Sequence, residues 1–447
     1  MGDRSDEAPQ VRTMGGDVKT EMLLDTLTKP GALENIRVID LTRYWAGPFG
    51  TQLLGAMGAE VIRVESADHI DPVRYMFPPD SDPGEKPYDR GAYFHMGNRN
   101  KDSIVLDLQN DRGRELLLEL VSIGDVVIEN FSARVMGNLG LEYETLRRAR
   151  PDIIALSMPS FGDAGPYRDY VCFGEALEAM TGLSHLTGYP DGPPMRSSGA
   201  FTDPASGLWA VYAILAALQH RNRTGQGCYV NLSQQEGYIT LMGDMVMDFT
   251  MNGRVRSRMG NRHPSRAPQG VYPCKGDDRW VAISVETDEE WQALCRVMGH
   301  PGLARDPRFK HLLGRIGRHD ELDEIIGGWT SGLDHYPVMK LLQDAGVAGG
   351  AVLTGQEVFA DPHLVDRGFF EESDHPNVGR LPHFGIPVKL SETPGGTLSP
   401  APLFGQHNRR VFGEVLGLSD NEYDDLLAAG VTAEEPAFSG ADEESAI

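Results

Sequence analysis

Residues 36–65 read IRVIDLTRYWAGPFGTQLLGAMGAEVIRVE, and this stretch contains one complete folding unit. Residues 36–42 (IRVIDLT) form an apolar run that is typical of a buried strand. The turn that follows opens a helix with Pro48 near its first position, where the missing N–H of proline is no loss because it would be unpaired there. Residues 60–65 (EVIRVE) form a second strand. The pattern predicts a strand–helix–strand unit of Rossmann-like topology.

The first turn of this unit does not fit a dinucleotide. A nucleotide-binding turn would read G-x-G-x-x-G, because glycines let the pyrophosphate approach the backbone and the helix N-terminus. Here the turn carries Arg43, Tyr44 and Trp45 instead. Glu65 ends the second strand, where a dinucleotide-binding protein would have its ribose-binding acid. That residue alone is weak support for a dinucleotide site. The sequence therefore disfavours an NAD or FAD oxidoreductase.

Strands and helices continue to alternate after this unit. Residues 102–108, 125–131 and 152–161 read as strands, while residues 111–124 and 143–151 read as helices. This alternation predicts an α/β fold with a mostly parallel sheet covered on both faces. Ligands of such sheets bind beyond the carboxyl ends of the strands. Those ends are residues 43–47, 65–68, 130–134 and 160–165.

Several ordered blocks carry a resemblance to a known family. They read NRNKDSIVLDL (98–108), VVIENF (126–131), SFGDAGPYRDY (160–170), VFADPHLVDRGFF (358–370) and APLFGQHNRRVFGEVLGL (401–418). Together with the opening stretch they resemble the family III CoA-transferases, which include formyl-CoA transferase, the carnitine CoA-transferases and the α-methylacyl-CoA racemases. The similarity runs from about Ile36 to about Gly430. It implies a Rossmann-like large domain, a smaller α+β domain and two protomers interlocked like chain links.

Composition shifts and the resemblance together predict the domain organisation. We expect a flexible N-terminal extension at 1–30 and a large CoA-binding domain at 31–225. Linker helices and the small domain follow at 226–345. Residues 346–432 return to complete the large domain, and an acidic tail occupies 433–447.

Charge and cysteine content narrow the function classes. The 447 residues include 41 Lys and Arg against 65 Asp and Glu, a formal net charge of −24, which disfavours nucleic acid and anionic membranes as partners. The longest apolar stretch, residues 208–218, is too short to span a bilayer. The four cysteines are widely spaced and show no metal-ligand pattern, so no metal site is expected. A polar N-terminus without a secretion signal makes the cytoplasm the default location.

The resemblance implies an acyl-CoA transferase that moves CoA from a thioester to a free carboxylic acid through an enzyme carboxylate. Acyl-CoA is then a substrate, and no tightly bound cofactor is needed. The family's nucleophilic aspartate aligns with Gly174 here. Glu175 is adjacent, and Glu178 lies four residues on, on the same helix face as position 174, so we favour Glu178 over Glu175 as the displaced nucleophile. Asp163 and Asp169, in the preceding loop, are outside candidates.

Three other interpretations of these residues stay open. Both glutamates can be ordinary first-turn acids that the helix dipole favours. A racemase of the family needs a histidine immediately before the aspartate position, and Phe173 stands there. A chain without a nucleophile would be a non-catalytic CoA-binding subunit of a heteromer rather than a homodimer.

The resemblance also implies where CoA binds. Basic side chains would bind the phosphates of CoA, and Phe131 would pack against its adenine. Trp45 stands where some relatives have a glutamine near the reacting centre. The loop at 259–270, basic through Arg262, His263 and Arg266, corresponds to the family's glycine loop. His185 and Asp203 lie in two further blocks of the resemblance, ALEAMTGLSHLTGYPDGPP (176–194) and DPASGLWAVYAILAALQHRNRTGQG (203–227). Their location in these blocks is the sole reason to place them near the cleft. The CoA-binding candidates are Arg43, Trp45, Arg99, Asn100, Lys101, Asn130, Phe131 and Arg134.

As simpler alternatives, Arg99 and Lys101 can be solvated loop residues, and the basic loop can be exposed without a ligand. The sequence leaves the two acids open: steroid, aromatic, dicarboxylic and carnitine-like acids all fit.

Overall fold

A computed structural model describes residues 31–437 of the chain. The expected extension at 1–30 and most of the expected acidic tail lie outside the described residues. The described chain forms two compact units. The first unit comprises 31–181, 199–241 and 363–437, and the second comprises 182–198 and 242–362.

The first unit is built on a six-stranded parallel sheet in the order β3-β2-β1-β4-β5-β6. This confirms the predicted α/β class and parallel sheet. The strand order reverses between β1 and β4, as in doubly wound folds. In the register of the central strands, Val38 pairs with Val61 on one side and with Val126 on the other. The strands are β1 (Arg37–Asp40), β2 (Glu60–Glu65), β3 (Lys101–Val105), β4 (Val126–Glu129), β5 (Ile154–Ser157) and β6 (Cys228–Asn231).

Helices cover both faces of this sheet because successive strand residues point to opposite sides. Ile39 packs in one apolar layer with helix residues such as Leu116 and Leu120, and Val38 packs in the other with residues such as Leu54 and Ile214. A hairpin of β10 (Phe370–His375) and β11 (Gly379–Phe384) completes the unit. Its α-helices are α1 (Ala46–Ala56), α2 (Ala92–Gly97), α3 (Asp111–Ile123), α4 (Val135–Asn138), α5 (Tyr143–Ala149), α6 (Gly174–Met180), α8 (Thr202–Thr224), α9 (Gln234–Ile239) and α17 (Asp420–Ala428), with α16 (Pro362–Asp366) at the unit boundary.

The second unit is an antiparallel sheet of three strands with helices around a separate core. Trp291, Leu294 and Phe309 are fully buried in that core. The strands are β7 (Gln269–Pro273), β8 (Trp280–Ser284) and β9 (Ala348–Ala351), in the order β7-β8-β9. The helices are α7 (Leu183–Leu186), α10 (Gly243–Asn252), α11 (Asp288–Val297), α12 (Leu312–Gly317), α13 (His319–Thr330), α14 (His335–Asp344) and α15 (Gly355–Ala360).

Short helices of other kinds complete the described chain. The 3-10 turns are Pro72–Tyr75, Pro79–Ser81, Pro87–Asp89, Thr240–Met242 and Leu303–Arg305, and Arg410–Val415 forms a π-helix. None of the helices within residues 31–437 is long and apolar enough to cross a membrane.

Two strands lie across the domain boundaries that the sequence suggests. β6 falls in the segment expected to be a linker, yet it pairs with β5 at the edge of the large sheet. β9 falls in the segment expected to return to the large domain, yet it pairs with β8 in the second unit. Strand pairing is a long-range contact, so neither partner can be read from composition along the chain.

Candidate active site

The turn after β1 meets the turn after β4 at the point where the strand order reverses. The side-chain Oδ1 of Asn130 accepts a hydrogen bond of 2.8 Å from the backbone N of Arg43. The Nδ2 of Asn130 donates to the backbone O of Arg43 at 2.9 Å. This reciprocal pair joins the two turns at the carboxyl end of the sheet. Ligands of doubly wound sheets bind at such a reversal.

Two N–H groups in this turn are buried without an acceptor among the described residues. They are Nε of Arg43 and Nε1 of Trp45. The rest of the Arg43 guanidinium is anchored, since one terminal nitrogen donates to the backbone O of Ile70 at 2.6 Å. Leaving buried donors unpaired costs free energy, so a bound acceptor would stabilise this turn.

Phe131 and Arg134 continue the site beyond β4. Phe131 is partly buried against the apolar layer beneath it, and its backbone N donates to the carboxylate of Glu129 at 2.7 Å. Burial raises the pKa of Glu129 to about 7. Arg134 is exposed at the start of α4, where it can reach a phosphate group.

Lys101 differs from the expected free cation. Its side chain is fully buried, and Nζ donates to Oδ2 of Asp40, to the backbone O of Pro48 and to Oδ1 of Asn98, at 2.9–3.0 Å. The carboxylate of Asp40 also accepts hydrogen bonds from Thr42 and Thr51. An ammonium with three partners inside the domain has no donor left for a phosphate, so Lys101 instead links the start of β3 to the end of β1 and to α1.

Arg99 and Asn100 are likewise engaged inside the first unit. Arg99 is 1 % exposed, and its guanidinium lies 4.8 Å from the ring centre of Phe384, whose backbone O accepts a hydrogen bond of 3.0 Å from it. The side chain of Asn100 bonds to the backbone of residues 396, 398 and 399. These contacts attach the returning chain to the start of β3, which differs from the expected CoA contacts.

The start of α6 lies against the start of α8. The hydroxyl of Thr202 donates to the backbone O of Gly174 at 3.0 Å. A Cβ atom added to Gly174 would lie 2.5 Å from Cβ of Ala200 and 3.1 Å from Cγ of Asp203, with Oδ2 of Asp203 closer still. The carboxylate of Asp203 therefore occupies the volume that a side chain at position 174 would need.

The carboxylate of Asp203 is held in an unfavourable environment for a charge. Burial, together with the nearby carboxylate of Glu175, raises the pKa of Asp203 to about 7. No described residue lowers that pKa with a cation or a hydrogen bond. Burial, followed by the charges of Asp203 and Glu175, also raises the pKa of Tyr93. Tyr93 packs edge-on against Trp45, with ring centres 5.4 Å apart.

The two predicted nucleophiles have different surroundings. Glu178 is 1 % exposed on the inner side of α6, whereas Glu175 is exposed in the first turn of that helix. We expected the carboxylate of Glu178 to fill the space beside Gly174. The atoms nearest that space belong to Asp203 and Ala200 instead, because α8 begins directly against it.

The residue before Gly174 provides no base for a racemase. Phe173 is largely exposed and packs edge-on against Tyr44, with ring centres 5.3 Å apart. An aromatic hydrocarbon cannot accept a proton from a substrate carbon. Phe173 and Tyr44 instead extend the aromatic surface that begins at Trp45 and Tyr93.

The remaining candidates pair with neighbours in their own units. In the second unit, Arg262 contacts Asp320 and Asp323, Arg266 lies 3.2 Å from Glu286, and Nδ1 of His263 accepts from the backbone N of Ser265 at 3.2 Å. The backbone O of His185 accepts a hydrogen bond from Arg258 in the same unit. Among the outside candidates of the first unit, Asp163 accepts from Tyr229 and Asn231, and Asp169 is exposed.

Sequence reasoning left Tyr93 out and gave Asp203 no specific role. Two features of the sequence point to Asp203. It is an acid in the first turn of a 23-residue helix, and the expected nucleophile position earlier in the chain, Gly174, is a glycine. These features single out Asp203 only when the packing of α6 against α8 is known.

Comparison with known proteins identifies the family of the chain. The model of CoA-transferase family III matches residues 33–408. The chain belongs to CoA-transferase family III. It is 36% identical over 403 residues to succinyl-CoA–D-citramalate CoA-transferase of Chloroflexus aurantiacus, covering 90% of this chain and 98% of that protein. It is 32% identical over 417 residues to formyl-CoA:oxalate CoA-transferase of Streptomyces coelicolor, covering 90% and 99%.

The fold supports the same membership. A CaiB/BaiF family protein from Brucella suis matches with a TM-score of 0.78 and 31% identity, covering 87% of this chain and all of that one. This family III CoA-transferase therefore combines the family's parallel sheet with a glycine at the position that the resemblance assigns to the nucleophile. Chemically, the site offers aromatic surfaces, unpaired N–H donors and two neighbouring carboxylates.

Proposed function

We propose that this enzyme moves CoA from an acyl-CoA thioester to a free carboxylic acid through a carboxylate of its own chain. The observation that carries the proposal is the pair of carboxylates at the starts of α6 and α8, Glu175 and Asp203. An enzyme carboxylate can attack a thioester carbonyl and form an anhydride, which the CoA thiolate then opens. The sequence-derived candidates for that carboxylate are Glu178 and Glu175.

We propose that CoA itself binds where β1 and β4 end. Arg43 and Trp45 supply the unpaired N–H groups there, and Asn130 holds the two turns together. Phe131 would provide a wall for the adenine, and Arg134 an exposed cation for a phosphate. Arg99, Asn100 and Lys101, which the resemblance also places at CoA, would support this site from inside the unit.

We further propose that the substrates are short dicarboxylic acids. The relatives named for citramalate, for oxalate and, in Agrobacterium fabrum, for succinate and glutarate all act on dicarboxylic acids. The acid exchanged in such a reaction retains a second carboxylate that the enzyme must recognise. Acyl-CoA compounds are intracellular metabolites and all four cysteines are free thiols, which is why we also propose the cytoplasm as the location.

A homodimer is part of the proposal. Leu208, Tyr212 and Leu215 follow helical spacing along α8 and are exposed. Exposed apolar residues on one helix face are typical of protein–protein contacts. A second copy of the chain is the partner that the resemblance implies, and the interlocked arrangement belongs to this proposal.

An assay for new CoA esters tests the function. The purified chain is incubated with succinyl-CoA and one acid at a time from a panel of glutarate, mesaconate, citramalate, oxalate and monocarboxylates, and new CoA esters are separated chromatographically. We expect new esters with dicarboxylates. Failure to form any ester, by a chain that still binds CoA, would instead favour the non-catalytic subunit.

A separate readout tests the racemase alternative. Exchange of the α-hydrogen of 2-methylacyl-CoA with deuterated water would show carbon acid chemistry. We expect no exchange, since Phe173 cannot act as a base. Rapid exchange without CoA transfer would overturn the proposed transferase.

A further inference from the structure

We infer that Asp203 is the carboxylate that attacks the thioester, an inference that rests on the CoA transfer proposed above. The sequence does not single out this residue, because its role depends on where α8 begins relative to α6. Three observations on the first unit support it: position, accessibility and electrostatics.

Position is the first observation. Gly174 has no side chain, and Oδ2 of Asp203 is the heavy atom nearest to where its Cβ would stand. The hydrogen bond between Thr202 and the backbone O of Gly174 fixes the start of α8 at this point. A carboxylate thus reaches the same volume from α8 that a side chain at 174 would enter from α6.

Accessibility separates Asp203 from Glu178. A nucleophile must touch the thioester carbonyl, and Glu178 is 1 % exposed, whereas Asp203 is only partly buried. Glu175 is exposed, so burial does little to activate it. Among these three acids, Asp203 alone is partly buried.

Electrostatics makes Asp203 a strong nucleophile for a carboxylate. Burial and the charge of Glu175 raise the pKa of Asp203 to about 7. A more basic carboxylate forms a stronger bond to an acyl carbon, and it is still largely ionised slightly above neutral pH. Its place in the first turn of α8 favours the ionised form through the helix dipole.

The chemical steps balance without any co-reactant. An oxygen of Asp203 bonds to the acyl carbon of the donor, and the carbon–sulfur bond breaks to release the CoA thiolate. That thiolate attacks the Asp203 carbonyl, forming an enzyme thioester and releasing the donor acid with one oxygen from Asp203. The acceptor carboxylate then displaces CoA to form a second anhydride. Attack of CoA on the acceptor acyl carbon gives the new thioester and leaves one acceptor oxygen on Asp203.

The transfer of an acceptor oxygen to Asp203 can be tested by isotope labelling. The wild-type enzyme turns over succinyl-CoA with an ¹⁸O-labelled dicarboxylate, and the peptides that contain Asp203 and those that contain Glu175 and Glu178 are analysed by mass spectrometry. We expect ¹⁸O in the Asp203 carboxylate only. Label in Glu175 or Glu178 would overturn the assignment while leaving the transferase function intact. No new ester at all would count against the transferase function itself.

Matched variants provide an independent test. Asp203→Asn should lower the transfer rate on the order of 10³-fold or more and abolish the hydroxylamine-sensitive acyl adduct, while CoA binding persists. Glu178→Gln should retain the adduct. Because Asn removes a partly buried charge, the variant should melt no lower than the wild type at pH 8, which excludes misfolding as the cause. Retained transfer by Asp203→Asn would overturn the assignment.

Moving the carboxylate from position 203 on α8 to position 174 on α6 gives a third test. In the triple variant Gly174→Asp, Ala200→Gly and Asp203→Ala, the new side chain enters the volume that Ala200 and Asp203 leave. We expect this variant to recover part of the activity that Asp203→Ala loses. Gly174→Asp alone should be less active than the wild type, since the two carboxylates would then compete for one volume.

Discussion

Gly174 and Asp203 have complementary volumes, and this pairing explains why a glycine is compatible with CoA transfer. A Cβ at position 174 would lie 2.5 Å from Cβ of Ala200, closer than side chains pack without a shift. The glycine thus makes room for a carboxylate from another helix. At the residue scale, the reactive group is identified by its place in space rather than by its place in the chain.

Glu175→Gln should move the acidic limb of the pH–rate profile to lower pH. The rate requires ionised Asp203, so kcat/KM of the wild type should rise as the pH increases through about 7. Removing the nearby negative charge lowers the pKa of Asp203, and the rise should occur earlier. The measurement is kcat/KM between pH 5 and 9 for both proteins. Glu144→Gln, an exposed change on α5, serves as the control, and an unshifted profile for Glu175→Gln would contradict the prediction.

At the scale of elements, α1 and α8 cross closely enough to position the site. A Cβ on Gly207 would lie 2.6 Å from the backbone O of Ala46, and one on Gly50 would lie 2.9 Å from the backbone O of Gly207. The helices therefore meet through their backbones near their first turns. This contact places Asp203 of α8 on the same side of the sheet as Trp45, which precedes α1.

Gly207→Ala should separate these two helices and reduce both stability and activity. The added methyl group overpacks the crossing, at a cost of about 1–3 kcal/mol. Urea unfolding gives the stability, and the CoA transfer assay gives the rate. Gly137→Ala is a matched control, since nothing described lies within 4 Å of its Cβ. Equal behaviour of the two variants would show that the crossing tolerates the methyl group.

A buried ion pair of Lys101 and Asp40, 3.0 Å apart, links the start of β3 to the end of β1. Lys101→Met removes the cation that pairs directly with Asp40, leaves only the more distant charge of Arg63, and should destabilise the protein by about 3 kcal/mol. The affinity of the folded variant for CoA should stay unchanged. Lys86→Met, at an exposed pair, should cost about 1 kcal/mol or less. A large loss of CoA affinity with normal stability would restore Lys101 to the CoA site.

At the scale of the whole molecule, the acidic surface and the apolar face of α8 have opposite effects on the association of two copies. A net charge of −24 opposes association of two copies, so the contact of the proposed dimer must rely on buried apolar area. Leu208, Tyr212 and Leu215 supply such area in the first unit.

Replacing Leu208 and Tyr212 together by Asp should convert the proposed dimer into monomers. Two buried charges at an apolar contact cost several kcal/mol. Light scattering after size exclusion measures the mass in solution. Leu313→Asp, at a side chain that is 82 % exposed in the second unit, should leave the dimer intact. A dimer that survives the double change would place the interface elsewhere.

Local patterns were sufficient to predict the parallel sheet, its helices and the turn at Arg43, because hydrophobic periodicity and turn chemistry act over a few residues. The family also followed from ordered blocks along the chain. The boundaries of the two units differ from those that the sequence suggests, because β6 and β9 pair with strands that are distant in sequence. Lys101 became internal because Asp40, 61 residues away, supplies a buried counter-charge.

The reacting carboxylate is the clearest case of a property that folding alone creates. Residues 174 and 203 are separated by a segment that belongs mostly to the second unit, so no local pattern relates them. The start of α8 against α6 brings a carboxylate to the vacant side of Gly174 and raises its pKa by burial. Chain order specifies which groups exist, whereas packing between distant helices determines which of them meet.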